Sequence, residues 1–174
     1  MRTIRSDFQF ILGVIALISE NKFLILCELL MNMVETPTIP RNAKVYLDKP
    51  YVKIFWDPTN KVLSTIWKGF STYDEISAIG HRILDAVVFE KATKVLYDAR
   101  EIEILDNDSE KYISGIFTKE MVGAGVKYAA AVLPEDVFAK FSIDNIQQKI
   151  IDNKNACVNY FNSLTNAIKW LEKK

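Results

Sequence analysis

The stretch YVKIFWDPTNKVLSTIW, residues 51–67, decides the fold class. Tyr51–Phe55 and Val62–Trp67 are aromatic and β-branched runs of the kind that fit a pleated, half-buried surface. Between them, Asp57-Pro58-Thr59-Asn60-Lys61 gathers turn formers. Two such runs joined by five residues predict an antiparallel hairpin. Lys44–Leu47, just upstream, is a candidate short leading strand.

Downstream the pattern alternates between helix and strand. Gly69 closes the hairpin, and Ser71 or Thr72 then caps a helix, with Asp74 and Glu75 each three residues beyond one of them. Ile76, Ile79, Gly80, Ile83, Leu84 and Val87 fall on one helical face, so this helix lies on a sheet. Thr93–Tyr97 predicts an interior parallel strand. A second helix follows over Ser109–Gly123, and then an alanine-rich strand over Lys127–Leu133. Short helical segments follow at Val137–Ala139 and Asn145–Ile151, then a strand over Ala156–Phe161 and a terminal helix capped by Ser163. The order β-β-α-β-α-β-α-β-α predicts an α/β layered sandwich. Its sheet is mixed and mostly parallel, with four or five strands and a leading hairpin.

Composition narrows the function. The chain has 174 residues, 49% of them apolar, enough to bury a full core. Lysine plus arginine and aspartate plus glutamate are balanced at 22 each, so no global positive field draws nucleic acid. No phosphate-binding glycine loop, nucleophile elbow or HExxH zinc motif occurs. Cys27 and Cys157 have no metal-ligand spacing and read as reduced thiols of a cytoplasmic protein. His81 is the single histidine, off its helix's apolar stripe. The reading therefore expects no metal, no cofactor and no enzymatic activity.

Residues 1–35 stand apart. Phe8–Ile18 is an apolar run of eleven residues, too short to span a membrane. A membrane association is accordingly not expected. A signal or anchor is the least favoured reading of this segment, and a helical extension of the domain and a mis-assigned start near Met31 or Met33 remain open for it. Residues 36–43, with Pro37 and Pro40, read as a linker, and 44–174 as the α/β domain.

The chemically densest stretch is residues 93–112, TKVLYDAREIEILDNDSEKY. From residue 98 to 110 six acids face one base, Arg100. Ser109, or Asp108 beside it, is placed to cap the second helix by accepting a hydrogen bond from an unpaired backbone N–H. The competing reading makes Ser109 a phosphoacceptor, with the acids repelling phosphate and the helix end attracting it.

Four stretches resemble the small bacterial STAS-like proteins, relatives of the anti-sigma-factor antagonists that are grouped by shape with SEC14-type lipid carriers. They are Val62–Phe70, Val95–Arg100, Ala130–Phe138 and Val158–Leu171, in that order along the chain. The resemblance implies a STAS-like fold over the main domain and a serine at the start of the helix after the third strand that receives phosphate. The matching position is Ser109, where the Asp-Ser pair is kept and the small residue and glycine that follow in the family are replaced by Glu110 and Lys111.

Two functions follow as expectations. The first is a non-enzymatic regulatory domain that binds a protein partner through Asp98, Arg100, Asp108 and Ser109, with a homodimer admitted. The second is a small apolar or lipid-like ligand held between helices and sheet by residues such as Phe117, Met121 and Phe138.

Overall fold

The computed structural model describes residues 39–134, 136–153 and 158–174, with backbone only at 137, 138 and 151–153. The expectations for residues 1–35, Cys27 and Cys157, and for the side chain of Phe138, fall outside these residues.

Six strands form one sheet in chain order: β1 (Lys44–Asp48), β2 (Val52–Asp57), β3 (Val62–Gly69), β4 (Lys94–Ile102), β5 (Tyr128–Val132) and β6 (Val158–Phe161). The first three are antiparallel, and β3 to β6 are parallel. The hairpin is paired from Val52 with Trp67 to Asp57 with Val62. Asp57 anchors the turn by accepting from the backbone of Thr59 and the side chain of Asn60. The expected α/β architecture holds, with a larger sheet: the leading segment is a full strand, which makes six rather than four or five.

The helices are α1 (Tyr73–Glu90), α2 (Asn107–Tyr112), α3 (Thr118–Gly123), α4 (Val137–Asn153) and α5 (Leu164–Glu172), with a π-turn over Ile113–Phe117 joining α2 to α3. Thr72 caps α1 in a reciprocal box with Glu75, and Ser163 caps α5. The two short helical segments expected after β5 are one continuous helix, α4. Its polar residues hide the continuity, because among its described side chains Ala139, Ile146 and Ile150 are buried in the main core and Ile143 packs against it.

Because side chains alternate along a strand, the sheet has two distinct faces. On one, Ile54, Leu63 and Val95 pack under α1 to α4. On the other, Val62, Leu96, Ala130 and Val132 pack under Leu164, Ala167 and Leu171 of α5. The π-turn has a local cause. Ser114 Oγ donates to the Glu110 carbonyl at 2.7 Å and Thr118 Oγ1 to the Ile113 carbonyl at 2.6 Å, drawing hydroxyls into the helical ladder.

Candidate functional site

Asp98 and Arg100 belong to β4, which runs on to Ile102 instead of ending at Tyr97. The last pairings, Lys68 with Glu101 and Gly69 with Ile102, follow a bulge that places one extra residue on β4. Arg100 donates through Nε to Asp98 Oδ1 and through Nη2 to Asp98 Oδ2, both at 2.9 Å. Asp98 is buried, and its register partners Ile66 and Val132 put it on the α5 face of the sheet. Ser109, by contrast, sits in α2 on the opposite face. The structure therefore does not bring together the residues that one acidic stretch groups along the chain.

Around Ser109 the cap lies earlier than the sequence suggests. Asp106 is the N-cap of α2, accepting from the backbone N–H of Asp108 at 3.0 Å and of Ser109 at 2.7 Å. Asp108 is exposed and pairs with Lys111 at 3.0 Å. Ser109 itself is fully buried, and its hydroxyl has no hydrogen-bond partner among the described residues. Glu110 is buried beside it and paired with Lys149 of α4 at 3.3 Å. What helix start and acidic composition leave unsaid is that α2 lies between α1 and α4.

At the carboxyl ends of the parallel strands two loops and the first turns of α4 meet. Glu103 N donates to the Gly69 carbonyl at 3.0 Å, tying the β4–α2 loop to the β3–α1 loop. Leu105 N donates to Ser142 Oγ at 3.4 Å, tying it to the first turns of α4. Each of the three segments carries one large apolar side chain facing solvent: Phe70 is 53% exposed, Ile104 51% and Phe141 65%. Glu101, Glu103, Asp106 and Asp108 are exposed on the middle segment. None of the three apolar residues stood out in the sequence. The signal available was their isolation, as with Ile104 between Glu103 and the buried Leu105.

Between the sheet and α2–α4 lies a cavity of about 130 Å³ with an almost wholly apolar lining. Its walls include Trp67, Phe117, Met121 and Ile146, so two of the pocket residues expected from sequence line it. Its floor is a row of register partners, Tyr97, Ala131 and Tyr160, on β4, β5 and β6. Alanine between two tyrosines leaves a notch. Burial raises the Tyr97 phenol above its ordinary value, with nearby Tyr160 adding to the effect. Burial pushes Tyr160 up to about 12, and Asp144 adds to that.

Among the described residues no group of three or more histidine, cysteine or carboxylate side chains is arranged to hold a metal ion. Nor is any described helix long and apolar enough to cross a membrane. His81 is exposed, with Nδ1 at 2.7 Å from the Ser77 carbonyl.

No family model and no curated protein matches the chain. Among solved structures it is similar to a candidate anti-sigma factor antagonist from Thermotoga maritima, at 12% identity and a TM-score of 0.49, over 68% of this chain and 92% of that one. It is also similar to an uncharacterised protein from Shewanella loihica with a SpoIIAA-like fold, at 13% identity and a TM-score of 0.45, over 77% of this chain and 99% of that one. Both likenesses are of fold alone.

Proposed function

We propose that this chain is a non-enzymatic interaction domain of regulatory type, and that its contact face lies at the carboxyl ends of the parallel strands. The observation that carries the reading is the presence of Phe70, Ile104 and Phe141, each more than half exposed, on two loops and the first turns of α4, which two hydrogen bonds tie together. Large apolar side chains scattered singly on a surface are ordinary, whereas a group of them on adjoining segments marks an interaction site. The carboxyl edge of an open α/β sheet is also where such folds place their binding sites, because loops there vary without disturbing the core.

The exposed carboxylates on the same segment give the face its chemistry. A partner segment that pairs apolar side chains with lysine or arginine fits a centre of Phe70, Ile104 and Phe141 rimmed by Glu103 and Asp106, Glu101 being paired with Lys68 at 2.9 Å. Ser109 takes no direct part in this contact, since its hydroxyl is enclosed between helices. Asp98 and Arg100 act in the sheet, where the bulged end of β4 is held by their paired hydrogen bonds.

A photoreactive amino acid placed at Phe141, and in a parallel chain at Val88, tests the reading in the native cell. Val88 is 59% exposed at the far end of α1 and serves as the control surface. A discrete protein adduct formed from position 141, absent from position 88 and suppressed by Ile104→Lys, is the expected result. Equal adducts from both positions would show that exposure alone drives the capture.

A further inference from the structure

The cavity on the main-core face of the sheet reaches the β4–α2 loop at Leu105 and carries its own chemistry. Tyr97 lines this cavity and part of its surface is uncovered, although β4 is an interior strand. Uncovered surface on an interior strand beside a cavity is cavity wall. Tyr97 Oη makes no hydrogen bond to any described residue. Ala131 beside it is likewise incompletely covered, although β5 is an interior strand. Tyr160 closes the row on the other side, also with no hydrogen bond to a described residue.

The geometry points to a binding site for a small apolar molecule, about one ring in size, that carries a single hydrogen-bond acceptor for Tyr97 Oη. Size sets the first half of this statement. A dry apolar cavity of about 150 Å³ takes one benzene molecule, and the cavity here is of that order at about 130 Å³. Chemistry sets the second half: the phenol has no partner among the described residues, and burying an unmet donor is costly, so a ligand that supplies an acceptor is favoured over one that does not. Phe117, whose ring centroid lies 6.3 Å from that of Tyr97 in an edge-on arrangement, and Met121 supply the adaptable apolar wall.

Acetophenone and cumene make the test, because they share one heavy-atom skeleton and differ in a carbonyl oxygen against a methyl group. Binding of each to the full chain is measured by calorimetry up to its aqueous solubility, in wild type, Tyr97→Phe and Tyr160→Phe. The expected result is saturable binding of both. The ratio of acetophenone to cumene affinity then falls by about fivefold in Tyr97→Phe, the worth of one neutral hydrogen bond. The comparison of ratios cancels the different hydration of the two compounds, and a tyrosine-to-phenylalanine change leaves the packing in place. No saturable binding of either compound would overturn the site. A ratio unchanged in Tyr97→Phe, or lowered only in Tyr160→Phe, would overturn the assignment of Tyr97 as the donor.

Discussion

Gly80 of α1 and Tyr112 of α2 interlock: a Cβ built on Gly80 would lie 2.5 Å from Tyr112 Oη and 3.2 Å from the ring carbon that bears it. Glycine inside a helix ordinarily costs stability relative to alanine. Here it makes room for a buried phenol whose ring also meets Tyr73 and Phe117, each at 6.0 Å between centroids.

Gly80→Ala is therefore expected to lower stability by about 1–3 kcal/mol, against the usual gain of such a change. Chemical denaturation checks it. The double variant Gly80→Ala with Tyr112→Phe regains part of the loss, because the oxygen nearest the new methyl group is gone. If Gly80→Ala stabilises the chain, the two helices do not pack as described.

Asp106 and Ser109 separate the two readings of the acidic stretch. Asp106→Ala removes two cap hydrogen bonds and is expected to cost about 1 kcal/mol. Ser109→Ala removes a buried hydroxyl with no partner among the described residues and is expected to be neutral or to add up to about 1 kcal/mol. Intact mass of the chain from its own cells is expected to show no phosphoryl group on Ser109. A heavier species lost in Ser109→Ala would mean that the start of α2 opens and that Ser109 is a modification site.

Alkaline stability follows from the two tyrosines of the cavity floor. Both ionise near 10.0 in the unfolded chain, and burial holds both phenols protonated to higher pH when folded, Tyr160 to about 12. Above pH 10.0 the folded state then binds more protons than the unfolded one, so stability is complete below that value and falls as pH rises through the folded values. Urea denaturation at about pH 9 and about pH 11 measures the fall. Tyr160→Phe is expected to make it shallower. An identical fall in wild type and variant would show that Tyr160 ionises as freely in the folded chain as in the unfolded one.

Much of the fold was legible because its strongest signals are local. The hairpin at residues 51–67 announces itself by two apolar runs and a turn cluster, and Thr72 with Glu75 forms the box that its spacing suggests. Legibility fails where tertiary pairing overrides local character. Asp98 to Ile102 reads as a polar loop, yet it is strand, because β3 continues beside it and the bulge absorbs the misfit. Asp106, Asp108 and Ser109 are all capable caps, and only the direction of chain entry selects Asp106. The α5 and main-core faces separate Asp98 from Ser109, a distinction that adjacency along the chain conceals. Ala131 carried a real signal, since alanines in an interior strand make space, but whether helices fill that space is not written in the strand.

The contact face is the central claim, and the affinity of the protein captured from position 141 tests it most directly. Titration of that partner against wild type, Ile104→Lys, Phe141→Lys and Val88→Lys is read by calorimetry, with melting curves confirming that each variant is folded. Ile104→Lys and Phe141→Lys are each predicted to weaken binding by about tenfold or more, as truncation of apolar anchors at an interface centre does, while Val88→Lys leaves it unchanged. Binding that survives both carboxyl-end substitutions, or that is lost in Val88→Lys instead, would contradict the account.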